Sequence, residues 1–495
     1  MQLAHVFTIV GWGISLHALL MLAPMAFSLL SGEGALAFDF FVAGLVTLFV
    51  GGGMLLAMRQ EFTTLGRRET FFAATLIWIM VPAFAALPFY LSGAIPSATN
   101  AYFEALSGFS TNGATILADV AAAPRPILFW RSLLQWSGGF SVLVFLSMLA
   151  GVLNLPGTTP LTRALAKVSA RPVAQRLGHA VLSLLKIYAL LTAACIAALL
   201  VAGTGLFDAV CYAFSVLSTG GFLTSSGADA FLSDRIVEAV LMVFMTIAAI
   251  NFSFHWSFFN GDRRSYFKDP EYRYLLAMIV FASLLVFLLM LPHSDLPALE
   301  TLRYAIFNTV SAVTTTGINM PVITGEGVYY WPVGALLLLL LLMIVGGATV
   351  STAGGIKLMR LSILARLAGQ EISRLSYPSS VAVIKYGGER VERQQILSAW
   401  SVFVLYCLSL VAVTLLLTAD GLQMPTALIL ATTNLATAGS AATTFLADGL
   451  TGGGGFHGYD ALPRFSKWIL CITMLIGRLE ILAVLSLLNP AIWRR

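Results

Sequence analysis

Four phrases along the chain share one pattern. They are Ser107-Gly108-Phe109-Ser110-Thr111-Asn112-Gly113, Ser215-Val216-Leu217-Ser218-Thr219-Gly220-Gly221, Ser311-Ala312-Val313-Thr314-Thr315-Thr316-Gly317 and Thr433-Asn434-Leu435-Ala436-Thr437-Ala438-Gly439. Each reads Ser or Thr, two variable residues, a small residue, then Thr-x-Gly. The chemistry open to such residues is coordination by neutral oxygen. A ring of backbone carbonyls can replace the water around a bare cation. Thr adds a hydroxyl to its carbonyl, and Gly permits backbone angles closed to other residues while leaving room for an ion. The x positions, Asn112, Gly220, Thr316 and Ala438, are small and fit a fairly wide ring. No acidic ring lies within the phrases, which suits a monovalent cation over calcium or magnesium, where carboxylates are usual. A lone Thr-x-Gly would read as a small-residue contact between helices. Four in register favour four walls of one pore.

The elements that must position these phrases are apolar. The chain of 495 residues is 58% hydrophobic and 10% charged, with a mean hydropathy of +0.89, whereas globular chains carry about 25% charge. It is an integral membrane protein. A span needs about 20 apolar residues, and ten segments qualify: 5–30, 38–58, 71–93, 127–153, 180–203, 236–260, 272–292, 332–365, 394–418 and 466–489. The first lacks a basic flank and reads as a span, not a cleaved leader. Each phrase ends a shorter apolar stretch, at 99–110, 206–217, 298–312 and 424–435, too short to cross. Asn100, Asp208 and Pro297 read as starts of short re-entrant helices, each followed by an extended return. Non-helical backbone at membrane depth survives only when buried in protein or lining water. The unit is span, short helix, loop, span, and four units on one hairpin make an axis along the membrane normal.

Charge sets the orientation. Arg59, Arg67 and Arg68, then Arg163 to Arg176, Arg263 to Arg273, Arg360 to Arg393, and Arg494 with Arg495 all follow even-numbered spans. The positive-inside rule makes that side cytoplasmic, with both termini inside. Glu33, Glu104, Asp119, Asp208, Asp229, Asp234, Asp295, Glu300, Glu326, Asp420, Asp448 and Asp460 fall opposite. They form either a cation-concentrating vestibule or ordinary polar loops.

Two features interrupt the apolar spans. Arg478 lies near the middle of the last span, where a charge costs at least about 2.5 kcal/mol and normally faces a cavity. It reads as an electrostatic barrier beneath the loops, or as a structural partner to an acid or carbonyl. The run from Gly346 and Gly347 through Thr352 to Gly354 and Gly355 breaks helix propensity inside the eighth span. It reads as a flexible gate under the third loop, or as a close-packed kink. Asn251 and His255 read as a packed polar pair. Cys195, Cys211, Cys407 and Cys471 read as small apolar residues. Gly452 to Gly455 need only flexibility. No nucleophile motif, phosphate loop or dinucleotide fingerprint is present, which speaks against an enzyme; a lipid-modifying enzyme is the remote rival.

On the four Thr-x-Gly loops, the run Gly354-Gly355-Ile356-Lys357 and the run Ile476-Gly477-Arg478-Leu479-Glu480, the chain resembles the Trk/Ktr superfamily of potassium transporters over nearly its whole length. The N-terminal hairpin resembles the Trk branch. The resemblance implies a bacterial inner-membrane protein that takes up potassium, with potassium ions held at the filter and no other cofactor in this chain. It implies a homodimer with one pore per subunit, a gating loop at 346–355, a pore-facing Arg478, and a separate cytoplasmic nucleotide-binding regulatory ring. Nucleic acid is not an expected partner. The fourth loop departs from the family: Asn434-Leu435 is followed by Ala436 where Gly is usual, and Asn112 stands where Thr is usual. A less selective potassium/sodium pathway or symporter is the alternative. The expected fold is an all-α polytopic membrane protein: a hairpin (1–69) and pore repeats at 70–179, 180–270, 271–393 and 394–495, pseudo-fourfold around one central pore.

Overall fold

Long apolar sequence in a membrane must satisfy its own backbone hydrogen bonds, so it folds as helix. The computed structural model describes residues 3–58, 67–153, 173–225, 234–259, 261, 269–294, 296–320, 332–377, 383–446 and 456–479. Among these, six helical segments are long and apolar enough to cross a membrane: Leu3–Leu30, Gly34–Ala57, Arg68–Leu91, Val181–Val201, Pro270–His293 and Arg393–Ala419. The chain is a multi-pass helical membrane protein. The only strands among the described residues form a small hairpin in which Lys385 pairs with Arg390 and Tyr386 with Glu389.

The remaining expected spans differ in instructive ways. Helix Arg125–Leu153 has 29 residues and turns Arg131, Ser132, Gln135 and Ser137 to the interior, all buried. The segment expected at 236–260 is two helices, Arg235–Ala249 and Phe252–Phe259, bent by 97°. Asn251 makes the bend, its side-chain oxygen accepting from Ser253 N at 2.9 Å, while His255 Nε2 bonds to the Ile247 carbonyl. The segment expected at 332–365 is helix Val333–Val345, a non-helical stretch, and helix Leu358–Ser376. The last helix is described from Arg464 to Arg478; Glu480 and the rest of that expected span lie outside the described residues. So do nine of the nineteen basic residues used for orientation: Arg59, Arg163, Lys167, Arg171, Arg263, Arg264, Lys268, Arg494 and Arg495.

Helix Gly34–Ala57 shows how the spans pack. Ala37, Phe40, Ala43, Thr47 and Gly51 are buried, while Phe38, Phe41, Leu45 and Phe49 are bare, as a lipid-facing stripe requires. A Cβ on Gly51 would lie 2.8 Å from Ser15 N and 3.1 Å from the Gly11 carbonyl. Small residues there let two helix backbones approach closely.

The four short helices are Ala98–Phe109, Leu206–Leu217, Ala298–Val313 and Met424–Leu435. Their starts correct two expected caps. The caps are Ser97 and Gly205, and Asn100 and Asp208 sit one turn inside. Pro297 is the cap of the third, as expected. These helices are buried on most sides because each is gripped by a span from elsewhere in the chain. Helix Arg125–Leu153 packs on Leu206–Leu217, Arg235–Ala249 on Ala298–Val313, Val333–Val345 on Met424–Leu435, and Arg464–Arg478 back on Ala98–Phe109. That closed cycle of contacts brings all four phrases together.

Candidate functional site: a ring of four turns over an intramembrane loop

Each short helix ends in the same three hydrogen bonds. In the first, Ser110 N donates to Leu106 O, Thr111 N to Gly108 O and Asn112 N to Ser107 O, at 2.7 to 2.9 Å. Ser218, Thr219 and Gly220 repeat this, as do Thr314, Thr315 and Thr316. So do Ala436, Thr437 and Ala438, with partners Thr432, Asn434 and Thr433. Ala436 therefore occupies the place of Ser110, Ser218 and Thr314, which fixes the fourth register. This is the Schellman ending, whose left-handed residue is usually Gly. Here it is Thr every time, with φ of 54° at Thr111, 53° at Thr219, 55° at Thr315 and 57° at Thr437. A β-branched residue in that region is an outlier, of a kind that costs about 1–3 kcal/mol and clusters at functional sites. Gly would relieve the strain, so what Thr adds is its hydroxyl. The left-handed Thr is invisible to the sequence pattern, which assigns the unusual angles to Gly alone.

The glycines are fixed by a different need. A Cβ on Gly113 would collide with the Gly220 carbonyl oxygen, and one on Gly221 with the Thr316 carbonyl oxygen. A Cβ on Gly317 would lie 3.1 Å from the Ala438 carbonyl oxygen, and Ser440 N donates to Asn112 O at 3.3 Å. Each loop thus abuts the x-residue carbonyl of the next, and the fourth meets the first. Gly113, Gly221 and Gly317 have positive φ, and Gly439 does not. The fourth loop does not return extended, as expected, but enters helix Ser440–Leu446. Its Gly439 carbonyl accepts from the Tyr459 hydroxyl at 2.7 Å.

Side chains outside the phrases hold the returning strands. The residue nine before each Gly ties to the residue three after it. Glu104 Oε2 accepts from Ile116 N at 2.7 Å, Tyr212 OH lies 3.3 Å from Thr224 Oγ1, and Asn308 Oδ1 accepts from Met320 N at 2.8 Å. The fourth unit has Leu430 and Ala442 there and no such tie, consistent with its helical return. Gln135 grips the second loop, donating to Gly220 O at 2.7 Å and accepting from Phe222 N. Asn112 does not face the ring: its Nδ2 donates to Asn434 Oδ1 at 2.8 Å, and Asn434 Nδ2 reaches the Tyr459 hydroxyl. The departure at Asn112 is thus half of a contact whose other half, Asn434, lies two residues before the departure at Ala436.

Among the described residues the acids opposite the basic side are mostly occupied; Asp229, Asp295, Glu326 and Asp448 lie outside them. Glu104 pairs with Arg131 at 2.6 Å, both buried. Glu300 pairs with Arg235 and Arg303. Asp208 accepts from Thr224, Asp420 from Ser466, and Asp234 caps its helix. These are local structural bonds.

Beneath the ring lies the non-helical stretch 346–357, with Gly346, Val350, Gly355 and Lys357 at positive φ. Thr219 Oγ1 donates to Thr352 O at 2.8 Å, and Gly354 N donates to Thr315 Oγ1 at 2.7 Å. A Cβ on Gly354 would collide with Thr437 Oγ1 and the Ala436 carbonyl, and one on Gly347 would lie 2.6 Å from Ala353 Cβ. Arg478 Nη1 donates to the same Thr352 carbonyl at 2.8 Å. Its Nε and Nη2 are buried without a partner, as are Thr111 Oγ1 and Thr437 Oγ1. The stretch is anchored from below. The 97° bend frees the Ala248 and Ala249 carbonyls, which accept from Thr352 N and Ala348 N. Glu271 Oε1 accepts from Thr349 N and Oγ1 at 2.7 and 3.0 Å, and Lys357 Nζ bonds the Ala353 carbonyl. Just outside the span, burial pushes the Asp269 carboxyl above its ordinary range. Above the ring, a cavity of about 230 Å³ is lined by Gly113, Gly221, Gly317, Asn319, Ser440 and Thr444, among others.

Such a site can hold a desolvated cation among neutral oxygens and block it below with a loop and a guanidinium. A family model described as TrkH, cation transport protein, matches residues 36–493. The chain is 32% identical over 500 residues to the Trk system potassium uptake protein TrkH of Vibrio parahaemolyticus, covering 100% of both. It is 31% identical over 498 residues to the protein of that name in Escherichia coli, covering 98% of each. The crystal structure of the potassium transporter TrkH from Vibrio parahaemolyticus matches with a TM-score of 0.89 at 32% identity, over 100% of both chains.

Proposed function

The chain belongs to the TrkH cation transport family, and from that premise we propose that it takes up potassium through the ring of four turns. The observation that carries this reading is the left-handed Thr repeated at 111, 219, 315 and 437. Strain kept in four places where Gly is customary argues for a use of the hydroxyl, and a cation ligand is the use a membrane-buried ring offers. The filter is then Thr111, Asn112, Gly113, Thr219, Gly220, Gly221, Thr315, Thr316, Gly317, Thr437, Ala438 and Gly439, with Asn112 contributing backbone only. Four units at 70–179, 180–270, 271–393 and 394–495 surround one pore in pseudo-fourfold fashion, joined to a hairpin at 1–69. The cyclic contacts between short helices and spans support that arrangement.

The stretch 346–357 is the gate. Its contacts with Thr219, Thr315 and Thr437 support a closed state, and Arg478 acts as barrier and latch through Thr352. The drive is the membrane potential: about 2.3 kcal/mol per charge at 100 mV. Both termini are cytoplasmic in the bacterial inner membrane, and the assembly is a homodimer regulated by a separate nucleotide-binding ring. The end of helix Leu358–Ser376, where Ile372, Leu375 and Tyr377 are exposed, suits docking of that ring.

The test is flux of potassium, rubidium and sodium in liposomes, with and without the ring protein, for the wild type and Gly113→Ser. Potassium or rubidium flux well above sodium, lost in the variant, supports the reading. Equal potassium and sodium flux points to the less selective pathway, and no flux with the ring present contradicts transport.

A further inference from the structure

We propose that the Ser440 side chain is a specificity-determining cation ligand at the outer face of the ring, contributed by the fourth loop in place of an extended return. The inference rests on the reading of the ring as the cation path. Three observations place the hydroxyl there. A Cβ built on Gly113 would lie 3.0 Å from Ser440 Oγ, and Cβ atoms on Gly221 and Gly317 would collide with it. Ser440 Oγ therefore stands before the bare faces of three glycines drawn from three different loops. It lies 3.3 Å from the Thr316 carbonyl oxygen, one of the x-residue carbonyls that face the ring. Gly113, Gly221, Gly317 and Ser440 line one cavity together with Asn319. The Asn319 amide oxygen and nitrogen are both buried without a hydrogen-bond partner.

The cause is local. The fourth loop lacks the tie that pins the other returns, so it turns directly into helix Ser440–Leu446, and its first residue swings over the ring. The other three loops place Ala114, Phe222 and Ile318 at the corresponding position after Gly. Only the fourth offers an oxygen. A hydroxyl there is an adaptable ligand: it turns a lone pair to a cation, or donates to Thr316 O when none is bound. It also narrows the outer entrance, so that a cation must shed water against Ser440 before reaching the Thr ring.

Cation binding reads this without needing an open gate. Purified full-length protein is titrated calorimetrically with KCl and with NaCl, for the wild type, Gly113→Ser and Ser440→Ala. Ser440→Cys is titrated with CdCl2 at low and high KCl, the wild type controlling for native cysteines. Ser440→Ala is expected to weaken potassium binding about fivefold, the scale of one neutral hydrogen-bonding group, and to change sodium binding less. Ser440→Cys is expected to bind cadmium that potassium displaces. Wild-type potassium affinity in Ser440→Ala, with cadmium binding to Ser440→Cys indifferent to potassium, overturns the inference while loss of binding in Gly113→Ser keeps the ring. If Gly113→Ser binds potassium like the wild type, the ring reading falls and this inference with it.

Discussion

Arg478 and Thr352 meet across 126 residues of chain, the guanidinium Nη1 donating to the carbonyl oxygen at 2.8 Å. Thr219 Oγ1 donates to that same carbonyl. One peptide group of the loop is thus held at once by the ring above it and by the buried guanidinium. Arg478→Ala removes that hydrogen bond and its charge, the proposed latch and barrier. Its expected result is faster rubidium uptake into liposomes than the wild type under the same potential; a rate equal to the wild type at equal expression contradicts both roles.

Glu271 is the lower anchor. Two hydrogen bonds from Thr349 end on its Oε1. Glu271→Ala leaves the buried Thr349 N–H without an acceptor, a loss of about 1–3 kcal/mol. The expected outcome is a lower melting temperature and a leak of rubidium. Glu271→Gln keeps an acceptor oxygen and should fall between the two.

The Glu104–Arg131 pair sits behind the first loop with both side chains buried. Removing one partner of a buried pair costs about 3–5 kcal/mol, because the other charge is left uncompensated. Glu104→Ala should therefore unfold far more readily in a thermal melt than Glu300→Ala, whose side chain is part-exposed. Equal effects would remove the structural role assigned to Glu104.

Thr111 allows stability and transport to be separated. Its hydroxyl has no partner, and its φ of 54° suits Gly better. The left-handed penalty of about 1–2 kcal/mol per residue exceeds the added chain entropy of Gly, about 0.5–1 kcal/mol. Thr111→Gly should melt no lower than the wild type, and slightly higher, while potassium uptake falls. Reduced stability with unchanged uptake would mean the hydroxyl serves the fold and not the ion.

Much of this was legible in the sequence because two periodicities carry it. Hydropathy separates long spans from short helices, and the short helices fall within a residue or two of the expected 99–110, 206–217, 298–312 and 424–435. The phrase repeat picks out the ring residues, and the Gly-rich run at 346–355 picks out the loop beneath it. What was not legible depends on contacts between distant segments. Nothing local marks Thr as left-handed, because Gly is the usual residue at that place in a helix ending. The 97° bend at Asn251 lies inside a stretch apolar enough to pass for one span. The coupling of Asn112 to Asn434 spans 322 residues, so Asn112 reads in the sequence as an isolated departure. The tie between positions nine before and three after each Gly uses Glu, Tyr and Asn, three residue types that share only the ability to bond a returning strand.

The central claim is that the four Thr residues surround the cation path. Its most direct test is the anomalous signal of bound thallium or rubidium in a structure of the wild type and of Gly113→Ser. The account predicts density on the axis between Thr111, Thr219, Thr315 and Thr437, above Gly354, in the wild type and none there in the variant. Cation density elsewhere, with the ring empty, would contradict it.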